Sequence, residues 1–272
     1  MTGLLGVIGD PIAHSLSPLI HTHWLAAAGI DATYIAMHVK AGDFSDHIHA
    51  LERQPVVGVN ITLPHKLAAL AIADEASPAA QAIGAVNTLT RHEGCWLGDN
   101  TDAPGFLAAL AMAGAVELAG RRVLVLGAGG SARAVVYALT GAGAVLTILN
   151  RTPERAAALS AEITGGRAVH GGLDPSPQQW GAADIVINTT SRGHGGEGFD
   201  LPPGRGRLFF DLSYGAPARN QLSSAAAADW QVQDGLAMLV AQAAESFHIW
   251  FGVRPDMSSA LALCRQKVEA TA

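Results

Sequence analysis

The run Val123-Leu124-Val125-Leu126-Gly127-Ala128-Gly129-Gly130-Ser131-Ala132 constrains the fold more than any other stretch of this chain. Its apolar residues read as a buried strand, its glycines as a tight turn and its last residues as a helix start. Gly127 permits the turn, Gly129 lets the backbone approach a pyrophosphate, and Ala132 is small enough for close helix–strand packing. A pyrophosphate placed there would sit on the unpaired N–H groups of the helix N-terminus. Residues 1–122 precede the motif, and they must build something other than a cofactor site.

The 272 residues allow two domains. With 49% hydrophobic and 15% charged residues, a sizeable core is available and disorder is disfavoured. A net charge of −6 argues against nucleic acid or an anionic membrane as the main partner. Cys95 and Cys264 stand far apart in no metal spacing, which fits a reduced, cytoplasmic compartment and no metal site. The segment Met1-Thr2-Gly3-Leu4-Leu5-Gly6 lacks a basic region and reaches Asp10 too soon for a signal peptide. The longest uncharged run, between Arg133 and Arg151, is too short for a bilayer span and is broken by Gly141 and Gly143.

Strands and helices alternate. Leu4–Ile8, Thr33–Val39 and Val56–Ile61 read as strands, and Val86–Thr90 with Cys95–Leu97 as a pair joined at His92-Glu93-Gly94. Helices are expected from Pro18 to about Ala28 with Ser17 as N-cap, from about Asp43 to Leu51, from near His65, and from Asp102 to Met112. Beyond the glycine turn come a helix to about Thr140 and strands at Val145–Leu149, Ile185–Ile187 and Leu208–Phe210. The helices Leu236–Phe251 and Met257–Glu269 end the chain. Such alternation implies parallel strands with helical crossovers. The expected architecture is α/β in two domains. A Rossmann cofactor domain spans 101–234, and an N-terminal α/β substrate domain of residues 1–100 is completed by the C-terminal helices of 235–272.

At the tip of the second cofactor-domain strand stand Asn150-Arg151-Thr152, with Arg155 one turn on. An NAD site places a carboxylate there for the ribose 2′-OH. A guanidinium instead matches a 2′-phosphate, so the sequence favours NADP. The plainer alternative is a surface arginine at a helix start.

A nicotinamide enzyme moves a proton as well as a hydride and needs an acid/base group beside the reacting carbon. Two polar segments at element ends qualify: Asn60-Ile61-Thr62-Leu63-Pro64-His65-Lys66 and Gly98-Asp99-Asn100-Thr101-Asp102. On its own Lys66 is better read as an ordinary surface lysine on the first helical turn, and Asp102, Asp99 or Thr101 can be read as an N-cap. A catalytic lysine needs desolvation or careful positioning, because the free side chain titrates near about 10.4. Ser15 and Ser17, flanking Leu16 before Pro18, make a mild carboxylate site if they are more than caps. The pairs His21-x-His23 and His47-x-His49 lack a third ligand and read as partly exposed helix residues.

Seven motifs in order resemble the shikimate dehydrogenase family: Gly9 through Pro18, Asn60 through Lys66, Gly84-Ala85-Val86-Asn87-Thr88, Gly98 through Asp102, Gly127 through Ala132, Asn150-Arg151-Thr152, and Gly235-Leu236-Ala237-Met238-Leu239-Val240-Ala241-Gln242. The resemblance implies NADPH-dependent reduction of 3-dehydroshikimate to shikimate, a step of chorismate and aromatic amino acid biosynthesis. It implies that Ser15 and Ser17 hold the substrate carboxylate, with Tyr214 near it. It places Asn60, Thr62, Asn87 and Gln242 on or close to the ring hydroxyls, and makes Lys66 and Asp102 the catalytic pair. Arg155, Thr189, Gly235 and Met238 join the glycine turn and Asn150-Arg151-Thr152 in holding the cofactor. The chain departs from the family pattern at Ala103, where many members have glycine, and at Gly215-Ala216-Pro217.

Other readings are a quinate or aminoshikimate dehydrogenase of the same family, with NAD as an alternative cofactor, and a non-catalytic NADP-binding regulator. Either monomer or homodimer is allowed. The glycine-rich segment from Ser191 to Gly198 is expected to form a flap over the nicotinamide.

Overall fold

A computed structural model describes residues 3–270. Met1, Thr2, Thr271 and Ala272, assigned to the first domain from sequence, lie outside the described residues. Two compact units emerge among the described residues: 3–105 with 239–266, and 106–238 with 267–270.

The first unit contains β1 (Gly3–Gly9), α1 (Ser17–Ala28), β2 (Ala32–His38), α2 (Phe44–Leu51), β3 (Val56–Ile61), α3 (Lys66–Ile72), β4 (Glu75–Ala76), α4 (Pro78–Ile83), β5 (Thr88–His92) and β6 (Cys95–Asp99). The strands form one sheet in the order β2-β1-β3-β5-β6-β4. It is mixed rather than parallel throughout, because β5 runs antiparallel to both β3 and β6. The cause is local: Glu93 and Gly94 both take positive φ (49° and 84°), the two-residue turn whose twist suits an antiparallel hairpin.

Alternation along the strands divides this sheet into two faces. Met37, Val59, Ile61 and Leu89 meet Phe44, Ile48 and Leu51 of α2 in one apolar core. The residues of opposite parity, Tyr34, Asn60 and Thr88, point to the other face. There the helix Leu236–Phe251 (α10 in chain order) approaches through Gly58, where a Cβ would lie 2.2 Å from Trp250 Nε1. Trp250 Nε1 donates to the Leu89 carbonyl. Trp24 Nε1 donates to the Asp256 carbonyl, and His23 meets Ser259 at 2.9 Å, so the C-terminal helices complete this unit as expected.

The second unit begins within α5 (Asp102–Met112) and continues through β7 (Arg122–Leu126), α6 (Gly130–Gly141), β8 (Val145–Leu149), α7 (Pro153–Thr164), β9 (Val169–Gly171), α8 (Pro177–Ala182), β10 (Ile185–Asn188), β11 (Leu208–Asp211), α9 (Ala216–Ala227) and β12 (Gln231–Gln233) to the first turn of α10. The last helix is α11 (Met257–Ala270). All six strands are parallel, ordered β12-β11-β10-β7-β8-β9. This is the doubly wound order, with its switch point between β7 and β10.

Two local expectations change. Ser17 is not the N-cap of α1. Leu16 already has helical backbone angles and holds that position, and the hydroxyl accepting from the Ser17 N–H is that of Ser15, at 3.3 Å. Nor is His21 partly exposed. It is buried, stacked on Tyr34 at 4.2 Å and edged by Trp24, with Nε2 unpaired.

Burial lowers the His21 pKa to about 3, with the Asn60 amide opposing in part. The unfolded chain therefore binds a proton that the folded chain refuses between about 6.5 and about 3. Stability is expected to fall through that window as pH drops, by up to about 1.4 kcal/mol per pH unit from this residue. His21→Phe, which keeps the ring stack and removes the titration, should flatten the slope in urea denaturation between about pH 6.5 and about pH 4.5. An unchanged slope would assign the acid sensitivity elsewhere.

Candidate active site

The first unit gathers its polar residues where β1 and β3 end. Gly9 closes β1 with no room for a side chain, since a Cβ would lie 2.5 Å from Thr62 Cγ2. That leaves half-buried Thr62 at the mouth of the site, its N–H donating to the Ile8 carbonyl. His65 fixes the turn that follows. It is buried and stacked on Phe44 at 4.6 Å, with Nε2 2.7 Å from the Val39 carbonyl. The next residue, Lys66, opens α3, and its carbonyl accepts from the Val86 N–H.

Lys66 Nζ donates to Asp102 Oδ2 at 2.5 Å, with both side chains nearly out of solvent (11% and 8% exposed). Asp102 opens α5, where a carboxylate suits the helix dipole, whereas an ammonium at the head of α3 does not. Asn87 Nδ2 donates to Asp102 Oδ1 and to Thr101 Oγ1, each at 2.9 Å, and lies 3.4 Å from Gln242 Oε1. Asn87 Oδ1 accepts from the Thr101 N–H at 2.8 Å. Gln242 reaches this cluster because α5 passes α10 at Gly105, where a Cβ would lie 2.6 Å from the Gln242 nitrogen.

Asn60 is buried, and its amide is spent inside the protein. Oδ1 accepts from the Tyr34 hydroxyl, and Nδ2 donates to Ser246 Oγ and Thr88 Oγ1. Burial raises the Tyr34 pKa well above the usual phenol value, with Ser17 opposing, so the neutral hydroxyls of Ser17 and Tyr34 adjoin. The unit thus brings together Lys66, Asp102, Asn87 and Gln242 around one carboxylate, and Ser17 and Asn60 around Tyr34. Ser15 sits two residues before Ser17, half-buried. Sequence reasoning missed Tyr34, Thr88 and Ser246. The available signals were parity on the strands and, for Ser246, a polar residue one turn beyond Gln242 in an apolar helix.

In the second unit Gly127 has φ +112°, and a Cβ there would lie 2.2 Å from Thr189 Oγ1. Thr189, just beyond β10, donates from both its N–H and its hydroxyl to the Leu126 carbonyl. Gly127 and Thr189 therefore occupy the strand ends at the switch point, where such sheets bind ligands. Gly129 caps α6 with no side-chain partner for the first-turn N–H groups, and a Cβ on it would meet nothing within 4 Å. Ala128 donates its N–H to Asn150 Oδ1, which ties the turn to the tip of β8. Arg151, Thr152 and Arg155 are exposed beside that tip, and among the described residues neither arginine forms an ion pair. Uncapped N–H groups, an open glycine face and two free guanidiniums together fit a dinucleotide carrying a 2′-phosphate.

Gly235 lies against the chain leaving β11, where a Cβ would be 1.9 Å from the Leu212 carbonyl oxygen, and Met238 is buried on the following helix. Tyr214 is half-buried in this second unit, just past β11. Gly215, one of the departures from the family pattern, has φ 67° and ψ −143°, a conformation that favours glycine. The 191–198 segment is held to α9 through Gly193, where a Cβ would meet the Pro217 carbonyl, and through Phe199, whose backbone pairs twice with Gln221.

Models of three domains match in order: the shikimate dehydrogenase substrate binding domain over residues 7–89, shikimate / quinate 5-dehydrogenase over 109–195, and the shikimate 5′-dehydrogenase C-terminal domain over 235–263. A curated relative from Hyphomonas neptunium, named shikimate dehydrogenase (NADP(+)), is 51% identical over 271 residues, covering 100% of each chain. The chain belongs to the shikimate dehydrogenase family. A Thermus thermophilus shikimate 5-dehydrogenase, solved with NADP(H) and shikimate, has a TM-score of 0.85 at 39% identity and covers 97% of this chain and 98% of its own. The family fold is also shared by a 5-ketofructose reductase from a Gluconobacter strain (TM-score 0.83, 33% identity, covering 100% of this chain and 99% of that one).

Gly129→Ala separates cofactor approach from folding. The added methyl meets open space, so the melting temperature should stay unchanged, while NADP affinity should fall by about tenfold or more as the backbone loses its approach to the pyrophosphate. Isothermal titration with NADP checks this, and an unaltered Kd would remove Gly129 from the cofactor site.

Proposed function

We propose that this protein catalyses the reversible NADPH-dependent reduction of 3-dehydroshikimate to shikimate, in chorismate and aromatic amino acid biosynthesis, as a cytoplasmic monomer or homodimer. The observation that carries the reading is the buried Lys66–Asp102 pair held by Asn87. Among the described residues no helix is long and apolar enough to cross a membrane.

The proposed substrate is a small polar ring with one carboxylate. Ser15 and Ser17 take the carboxylate with neutral hydroxyls and Tyr214 lies near it, while Thr62, Asn87 and Gln242 read the ring hydroxyls. Asn60, its amide already engaged, acts close to the ring by holding neighbouring groups in place. A site built from such groups rejects analogues lacking a hydroxyl, because its buried partners are left unpaired. Asp102 holds Lys66 and a ring hydroxyl. In the reductive direction charge gathers on the carbonyl oxygen, and Lys66 Nζ gives its proton to that oxygen. In oxidation Lys66 takes the hydroxyl proton back. NADPH, when bound, supplies the hydride. Gly127 through Ala132 would hold its pyrophosphate, and Asn150, Arg151, Thr152 and Arg155 its 2′-phosphate. Thr189, Gly235 and Met238 would line the nicotinamide end.

Lys66→Ala should bind NADP as the parent does and lose about a hundred- to ten-thousand-fold in kcat. Unaltered turnover would take Lys66 out of the mechanism. Steady-state rates with shikimate and quinate, each with NADP and NAD, test the substrate and cofactor together. Shikimate with NADP is expected to be the best pair, and quinate with NAD as the best pair would overturn the reading. Arg151→Ala should raise the KM for NADP by about tenfold and leave that for NAD unchanged.

A further inference from the structure

We infer that Ser246 is a positioning residue for the Asn87–Asp102–Lys66 chain. It lies on α10 one turn beyond Gln242 and is fully buried. Its Oγ is 2.8 Å from Asn60 Nδ2, 2.9 Å from Thr88 Oγ1 and 3.1 Å from Thr101 Oγ1, and it donates to the Gln242 carbonyl at 3.1 Å. Four parts of the first unit meet at this atom: β3, β5, the strand-to-helix turn before α5, and α10.

One assignment of hydrogens gives every donor an acceptor. The Gln242 carbonyl takes the Ser246 proton, so Ser246 Oγ can only accept from the others. Its two lone pairs receive one Asn60 N–H and the Thr101 O–H. The second Asn60 N–H goes to Thr88 Oγ1, 3.2 Å away, and Thr88 donates onward to Asn87 Oδ1 at 3.0 Å. Asn87 Oδ1 is then filled by Thr88 and by the Thr101 N–H. Its Nδ2 hydrogens are committed to Thr101 Oγ1 and Asp102 Oδ1. Asn87 is thereby locked with its donors toward the carboxylate, and Asp102 Oδ2 is left for Lys66. The Thr101 N–H and the Asp102 carboxylate orient the Asn87 amide, and Ser246 draws off the Thr101 hydroxyl proton so that Thr101 Oγ1 can accept from that amide.

Removing this hydroxyl strands the Thr101 O–H and one Asn60 N–H. The Thr101 hydroxyl then turns to Asn87 Oδ1, 3.2 Å away, and competes with Thr88 for it. Asn87 Oδ1 then faces three donors for two lone pairs, so the amide shifts and its hold on Asp102 weakens. A group that merely filled space would have no such consequence for the reaction.

The inference rests on the assignment of Asn87, Asp102 and Lys66 to the active site, and the experiment separates the two. Ser246→Ala, Ser246→Thr, Asn87→Ala and the double variant Ser246→Ala/Asn87→Ala are assayed for shikimate oxidation, with melting temperatures and NADP affinity measured in parallel. Ser246→Ala is expected to lower kcat about tenfold with NADP affinity unchanged, and Ser246→Thr, which keeps the hydroxyl, to recover most of the loss. In the Asn87→Ala background the Ser246→Ala change should cost less than about twofold. A lower melting temperature with unaltered kcat, or the same tenfold loss in both backgrounds, overturns the positioning role. Full activity in Asn87→Ala overturns the active-site assignment and this inference with it.

Discussion

The ammonium of Lys66 sits where its own helix repels it. The first turn of α3 presents unpaired N–H groups and the positive end of a dipole, and burial adds a desolvation cost. Asp102 offsets both, and it does so from the head of α5, a position that suits a carboxylate. Such a pair is poor evidence of stability. Apolar residues of similar volume are often no worse, whereas removing one partner costs about 3–5 kcal/mol. Its presence is better explained by chemistry that needs an amine and a carboxylate in fixed register. The surrounding groups serve that register: His65 fixes the turn, Val86 pins the Lys66 backbone, and Asn87 holds the far oxygen of Asp102.

That dependence explains why the chain returns to its first unit after building the second. The sheet supplies Asn60 and Thr88 as a registered pair on adjacent strands, on the face opposite the α2 core. Those polar groups need partners that exclude water, and α1, whose His21 stacks on Tyr34, does not supply all of them. The segment after 239 does, with Gln242 and Ser246 on one stripe of α10 and Trp250 and Phe247 sealing the rest. Two glycines allow the approach, Gly58 beneath Trp250 and Gly105 beneath Gln242. A methyl group at either would push the helix away from the atoms it must meet.

Parts of this were legible in the sequence because their physics is local. The glycine turn announces itself through a positive φ at Gly127 and an open face at Gly129. The hairpin is written in Glu93-Gly94. The central strands β3, β7 and β10 are apolar runs because both faces are covered. What stayed hidden lies at the edges or depends on tertiary partners. The strands β9 (Val169–Gly171) and β12 (Gln231–Gln233) are three residues each and partly solvated, so they carry no apolar pattern and are fixed by their neighbours. The helices α7 and α9 receive no bounds from sequence, only a helix start beside Arg151 and an alanine run at Ala225–Ala228. They carry few large apolar residues: α7 buries Ala156, Leu159, Ser160 and Thr164, and α9 buries Ala218, Gln221 and Ala225. Ser17 looked like a cap by type and spacing. Whether a serine caps depends on the backbone angles of the residue before it, which composition does not reveal.

The same distinction separates the two halves of the site. In the cofactor unit the informative residues are those whose side chains are missing or absent from pairing: a glycine where Thr189 must fit, a glycine that keeps a surface open, and two arginines that join no ion pair among the described residues. Absence is readable in a single sequence. In the substrate unit the information lies in which hydrogen points where, and that is settled only when β3, β5, the turn before α5 and α10 come together. Asn60 shows the difference: its type and position at a strand end suggest a ligand contact, yet both ends of its amide are already engaged, to Tyr34 on one side and to Ser246 and Thr88 on the other. An amide so occupied acts on the ligand through the hydroxyls it holds, and it can do so only while every hydroxyl in the chain keeps one direction.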